Sequence, residues 1–184
     1  ANASLWLGFH SDISQNLSLD YGLRVKYEDS RNFKRMEDLL GALYLRDVDY
    51  YLMDDDTFSG NLQNNMRNPD HRVSVGDRFS YDYSLRSRHA SIDASLHYTP
   101  SRWVMDLGLS IAQQSVSRYG YFEKELYSGA GSYGRSAKLK FAPYVVKARV
   151  GYSFSPKHYV DVGLMASDVT PEVGNLFLNA QYNN

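Results

Sequence analysis

The chain has 184 residues, a formal net charge of −1 and no cysteine. Its length allows a single domain, and its near-neutral balance gives no global pull toward nucleic acid, so no nucleic-acid partner is expected. The lack of cysteine excludes disulfide frameworks, zinc ribbons and thiol catalysis.

Ala3, Leu5, Leu7 and Phe9 share one parity against Ser4, Trp6, Gly8, His10 and Asp12. Strict alternation predicts a strand with one apolar face over Ala3 to Ile13. A short turn at Ser14-Gln15-Asn16 leads to the cleanest pattern, with Leu17, Leu19, Tyr21, Leu23, Val25 and Tyr27 opposite Ser18, Asp20, Gly22, Arg24 and Lys26. A long loop near 28–84 follows. Phe33, Met36, Leu39, Leu40 and Leu43 have helical spacing and Asn32 stands at a capping position, which predicts a short helix, with Val48, Tyr51 and Leu52 as its extension. Asp54-Asp55-Asp56 and the Asn-rich run to Asn68-Pro69 read as loop.

Phe79, Tyr81, Tyr83 and Leu85 alternate weakly, and the apolar parity changes before Ala90, Ile92, Ala94, Leu96 and Tyr98. That change predicts a bulge or a change of environment. Thr99-Pro100-Ser101-Arg102 turns the chain into Trp103, Met105, Leu107, Leu109 and Ile111, a strand that runs on to Tyr119. A Gly/Ser/Tyr loop near 120–136 precedes Leu139 and Phe141, and a second parity change at Pro143 is bulge-like. Tyr144 to Phe154 and Val160 to Ala166 complete the pattern around the turn Ser155–His158, and a last loop covers 168–184.

The result is an all-β, antiparallel up-and-down arrangement of about six strands whose turns alternate short and long. All short turns fall at one end and all long loops at the other. Outer-membrane β-barrels carry this asymmetry, with short turns on the periplasmic side and long loops outside. No apolar run has the length of a membrane helix, but barrel strands hide their apolar residues by alternation. The apolar faces carry no charge over their long runs, and the opposite faces mix charge with Gly and Ser, as a lumen does. Tyr98, Trp103, Tyr152 and Phe154 beside the short turns have the parity of an interfacial girdle, whereas Tyr159 has inward parity. No signal peptide is visible, and the chain opens almost directly in a strand, which leaves room for a mature start upstream. A soluble antiparallel sheet with a dry core has the same alternation and stays open at this point.

Arg35-Met36-Glu37-Asp38-Leu39-Leu40, Asn68-Pro69-Asp70-His71-Arg72-Val73 and Val75-Gly76-Asp77-Arg78-Phe79-Ser80-Tyr81-Asp82-Tyr83 resemble stretches in the barrel of TonB-dependent receptors from Bacteroidetes. Asp168-Val169-Thr170-Pro171-Glu172-Val173-Gly174-Asn175-Leu176 is similar to a loop opening in that family. The resemblance implies a bacterial outer-membrane location and a barrel of about 22 strands plugged by an N-terminal domain. This chain has about a quarter of those strands and no plug, so it is expected to be part of the barrel, spanning 1–184. The implied partners are outer-membrane lipid, the rest of the barrel and plug, the TonB complex acting through that plug, and a surface lipoprotein. The implied activity is ligand capture outside and import, without catalysis. No cofactor is expected. A small barrel for adhesion or membrane integrity, and a soluble β-domain binding a glycan or protein, remain the alternatives.

Asp20, Arg24, Lys26, Asp93, His97, Asp106, Lys147, Arg149 and Asp161 all have inward parity and form the candidate lumen- or plug-facing set. Their mixed sign argues for a solvated wall rather than a charge-selective path. Tyr50, Tyr51, Tyr119, Tyr121, Phe122 and Tyr127 are the candidate extracellular ligand contacts, since loop aromatics serve binding as well as loop packing. Gly129-x-Gly131-x-x-Gly134 matches a dinucleotide fingerprint on paper, but no helix is expected after it to cradle a phosphate. Asp54–Asp56 lacks the alternating ligand spacing of a calcium loop, and the five histidines show no zinc-hydrolase spacing.

Overall fold

A computed structural model describes residues 1–50, 62–171 and 176–177. Apart from the four residues of a small two-stranded pair, all its strands belong to one antiparallel sheet. The strands are β1 (Asn2–Ser14), β2 (Leu17–Arg35), β3 (Leu45–Arg46), β4 (Arg72–Val73), β5 (Arg78–Tyr98), β6 (Trp103–Gly120), β7 (Gly134–Arg135), β8 (Leu139–Phe141), β9 (Tyr144–Ser155) and β10 (His158–Asp168). The main sheet has the order β1-β2-β5-β6-β9-β10, with the short β7 and β8 also paired to β6, while β3 and β4 pair with each other. Neighbours in the main order follow each other in sequence apart from short loop strands, so the topology is up-and-down. The sheet is open: β1 pairs with β2 and β10 with β9, and these two do not meet.

The register aligns the alternating residues into rungs. Leu7, Leu23, Ile92, Ile111 and Tyr144 form one; Phe9, Tyr21, Ala94, Leu109, Val146 and Ala166 form the next; Leu19, Leu96, Leu107, Ala148 and Leu164 a third. Toward the short turns, Trp103 packs at a tilt against Tyr152 at 4.6 Å, and Tyr152 meets Phe154 edge-on at 5.0 Å. The apolar stretch runs over 3–13, 17–27, 90–98, 103–111 and 144–154, the nine to eleven residues that cross a bilayer core as a tilted strand.

No layer covers this face among the described residues. Ile92, Leu107 and Leu164 are 65%, 51% and 74% exposed, and Leu5, Leu7, Phe9, Leu109, Ile111, Val160 and Val162 are likewise exposed. The buried apolar residues Val48, Leu62, Val73 and Val116 all lie at the long-loop end. At about 1 kcal/mol for the uncovered part of each side chain, ten such residues left in water forfeit on the order of 10 kcal/mol. That equals the whole stability of an ordinary domain, so the face requires an apolar neighbour.

Several sequence expectations are corrected. The short helix over Asn32 to Leu43 is absent: β2 continues through Phe33 to Arg35, and Leu40 and Leu43 are each 92% exposed in the loop beyond it. Side chains without a packing partner cannot hold an amphipathic helix. The first long loop is therefore 36–77 rather than 28–84, because β2 and β5 stay paired far beyond the apolar stretch. The parity change between Leu85 and Ala90 holds no bulge, since β5 keeps one register against β2 from Tyr98 to Asp82. It is a change of environment: the face that reads Tyr98, Leu96, Ala94, Ile92, Ala90 continues as Arg88, Arg86, Ser84, Asp82. Pro143 inserts no residue either, because Phe141 opposes Gln114 and Tyr144 opposes Ile111 in the same register. The Ala112 N–H donates to the Pro143 carbonyl at 2.9 Å, and the ladder lacks just the return bond that proline cannot make. The bulge in β5 is instead at Ser80-Tyr81, where the register steps from Phe33 opposite Asp82 to Lys34 opposite Phe79 and Ser80 takes φ 66°.

Candidate functional site

Pleating sends the second set of side chains to the opposite face of the sheet, where two clusters form. In the first, the Trp6 indole lies flat across two glycines. A Cβ on Gly8 would stand 2.6 Å from the ring, and one on Gly22 would stand 3.3 Å from Nε1. Together with His10, Asp20, Arg24 and Asp93 these residues line one hollow. His10 hydrogen-bonds Asp20 at 2.7 Å and Asp12 at 3.1 Å, and the Ser110 hydroxyl donates to Asp93 at 2.6 Å. In the second cluster Asp106 is the hub. His97 hydrogen-bonds it from the facing strand, and Arg149 stands 3.7 Å from Asp106 and 3.3 Å from Asp161.

The predicted lumen-facing set is thus divided. Asp20, Arg24 and Asp93 share the Trp6 hollow; His97, Asp106, Arg149 and Asp161 form the Asp106 chain. Lys26 pairs instead with Glu28 at 2.7 Å, and Lys147 sits opposite Gly108 and Met165 without joining either cluster. Each cluster mixes both signs of charge, so this face of the sheet is polar without being of one sign.

Beyond the apolar stretch the chain builds a second structure from its loops. Asp82 accepts two bonds from Arg31, at 2.8 and 2.7 Å, and one from Arg78 at 2.8 Å. Burial by itself would raise the Asp82 carboxyl, but the Arg31 and then the Arg78 hydrogen bonds outweigh it and hold the group below its ordinary range. Arg31 also lies 4.0 Å above the Tyr121 ring, and Tyr121 packs on Tyr119 at 5.0 Å.

A second hub joins the two long loops. Asp47 is buried and accepts from the Asn64 amide at 2.9 Å and from the Ser80 N–H at 2.8 Å, the group that the β5 bulge turns toward it. Lys124, also buried, donates to the Asn64 carbonyl oxygen. Burial pushes the Lys124 amine down to about 8, against the opposing pull of Asp49 and Asp47. Around it the Gln63 N–H donates to Glu125 at 2.7 Å, the Met66 N–H to the Glu123 carbonyl at 2.7 Å, and Arg67 covers the Tyr133 ring at 4.6 Å. Gly120 is where the second loop folds back on β6: a Cβ there would fall inside the Ser132 carbonyl.

The predicted aromatic contacts do not make one surface. Tyr119 and Tyr121 pack beneath Arg86 and Arg31. Phe122 and Tyr127 are half-buried. Tyr50 is half-exposed at the rim of the hollow that Lys124 and Asp47 line, and Tyr51 lies outside the described residues, as does Asp54–Asp56. Gly129–Gly131 forms a 3-10 turn followed by the two-residue β7, so no helix dipole faces a phosphate there. Among the described residues no group of three or more His, Cys, Asp or Glu is placed to hold a metal.

Sequence reasoning missed both loop hubs. Asp82 sits within a weak aromatic alternation, on the parity of the apolar Ala90–Tyr98 face, and nothing in its neighbours along the chain shows its partner. Lys124 stands between Glu123 and Glu125, a pattern that reads as solvated charge. Compared with protein-family models and with curated proteins, the chain matches none of them.

Proposed function

We propose that the chain is a section of the wall of a transmembrane β-barrel in the bacterial outer membrane. The barrel is that of a TonB-dependent receptor, which captures a ligand outside the cell and admits it when its plug is rearranged by an inner-membrane partner. The observation that carries this reading is the apolar face: uniform in height, uncovered by any layer among the described residues, with Leu5, Leu7, Phe9, Ile92, Leu107, Ile111 and Leu164 exposed, free of charge over its long runs and bordered by Tyr98, Trp103, Tyr152 and Phe154. A soluble sandwich needs a second layer over such a face, and lipid meets the need without one. Six long strands are fewer than the eight of the smallest such barrels, so further strands complete the wall along β1 and β10. The receptor assignment within this class rests on the resemblance at Asn68 to Tyr83 and Asp168 to Leu176.

In this role the Trp6 and Asp106 clusters face the plug or the lumen water, and the knitted loops stand outside the membrane as the mouth of the receptor. The reading frame around this chain tests the receptor assignment. A plug-sized domain upstream and more strand pairs on either side are expected; a signal peptide directly before Ala1 would contradict it in favour of an adhesion or integrity barrel. Solution behaviour tests the membrane assignment, because a chain that stays monodisperse in buffer without detergent has covered its apolar face in some other way.

A further inference from the structure

We infer that the wall carries a binding site for the phosphate of an anionic lipid headgroup, on its lipid-facing side at the long-loop end. The inference rests on the membrane-wall reading above and adds the chemistry of the lipid that this face selects.

The site begins one rung past the last apolar one. Val25, Ala90 and Gln113 close the apolar stretch; the next rung is Tyr27, Arg88, Ser115 and Lys140. Two residues along a strand span about 6.6 Å, and the polar headgroup layer adds roughly 5–7 Å to each side of the hydrocarbon core. Arg88 and Lys140 therefore stand at headgroup height and share parity with the lipid-facing residues. Arg86, Arg88, Ser115, Ser117, Arg135 and Lys138 line one hollow of about 180 Å³, large enough for a phosphate group. Arg86 is already held, its Nε donating to Asp29 at 2.9 Å. Arg88, Arg135, Lys138 and Lys140 are exposed, and no carboxylate among the described residues lies within ion-pairing distance of them.

That arrangement differs from the rest of the wall. On the opposite face and in the outer network Lys26 pairs with Glu28, Arg149 with Asp161, and Arg31 and Arg78 with Asp82; Arg24 shares its hollow with Asp20 and Asp93, and Lys147 stands apart. Here four cations line one hollow and Lys140 stands opposite Ser115 beside it; among the described residues Arg86 alone is paired, with Asp29, and two serine hydroxyls lie among them as further donors. Guanidinium and ammonium groups beside hydroxyls are the donor set that phosphate oxygens take. Continuity with the apolar face selects a phosphate attached to acyl chains over a free one, because a single molecule then satisfies both surfaces.

The test is flotation of the full chain with vesicles of phosphatidylcholine, and with vesicles that also contain phosphatidylglycerol, at about physiological ionic strength. The chain is expected to float with both and more strongly with the second. Arg88→Gln, Arg135→Gln and Lys138→Gln together are expected to remove that excess, at about fivefold per cation near the surface, while flotation with phosphatidylcholine is kept. Lys157→Gln, at the short-turn end, is expected to keep the excess, and inorganic phosphate at matched ionic strength to leave it largely in place. A triple variant that retains the excess overturns the headgroup site. Loss of the excess to inorganic phosphate alone overturns the lipid in favour of a free anion. Failure of the unaltered chain to float with either vesicle overturns the membrane wall itself, which separates that failure from one of the site.

Discussion

Asp82 shows how a single carboxylate fixes the outer part of the wall. Its side chain is 3% exposed, while Arg31 and Arg78, which hold it, are 39% and 38% exposed. Asp82→Asn is expected to cost about 1–3 kcal/mol, at the lower end because the guanidiniums reach water, and urea denaturation in detergent measures it. The pH dependence follows from the lowered carboxyl. Stability from a depressed acid is present above its unfolded value, 3.8 here, and is lost as pH falls through the folded value. The gap in melting temperature between the parent and Asp82→Asn is therefore expected to be full near pH 6 and to shrink below 3.8. Lys124 has the opposite sign. Its amine titrates at about 8 when folded and 10.5 when unfolded. The unfolded chain binds more protons in that window, so this group adds stability as pH rises through it. Comparing melting temperatures of the parent and Lys124→Met across that window is expected to show this rise in the parent and not in the variant.

At the scale of the element, β5 and β6 were legible where one face met a uniform environment. Ala90 to Tyr98 and Trp103 to Ile111 pair rung for rung as their alternation implies. Legibility ended where the environment changed rather than the backbone. From Arg88 outward β5 keeps its register, but the face that was apolar turns polar and is buried at Ser84 and Asp82, while Tyr83 and Leu85 are half-buried on the other face, so these two changed the apparent phase. The helix over 32–43 failed for a related reason. Phe33 belongs to a strand whose ladder is fastened by Arg31–Asp82, a contact across 51 residues that spacing cannot reveal. The inward set was legible by parity, but its division into two clusters depended on register across strands. On the apolar face, which the proposed function turns to lipid, Leu107→Arg is expected to cost about 2–4 kcal/mol near the bilayer midplane and to block assembly. Asp106→Asn, one residue away on the other face, is expected to stay within about 1 kcal/mol. Gel mobility of heated and unheated samples after refolding into lipid distinguishes the two, and equal tolerance would contradict the assignment of faces. Gly120→Ala is expected to displace the 121–133 loop while leaving the lipid-facing strands assembled, read as faster hydrogen exchange at Met66 and Lys124 alone.

Across the whole molecule, one open sheet carries three chemistries in bands: an aromatic border at the short turns, an uncharged apolar belt, and a cationic then ion-paired zone leading into knitted loops. This order of bands is the one a bilayer favours, and it supports the proposed membrane wall. The two tryptophans stand on opposite faces of the sheet, Trp103 beside Tyr152 on the apolar face and Trp6 over Gly8 and Gly22 on the polar one, so each reports on one side. The most direct measurement is fluorescence quenching by brominated lipid in vesicles carrying Trp6→Phe or Trp103→Phe. With Trp6 replaced, the remaining Trp103 is expected to be strongly quenched; with Trp103 replaced, Trp6 is expected to be quenched little. Equal quenching of the two, or stronger quenching of Trp6, would contradict a wall that turns this apolar face to lipid.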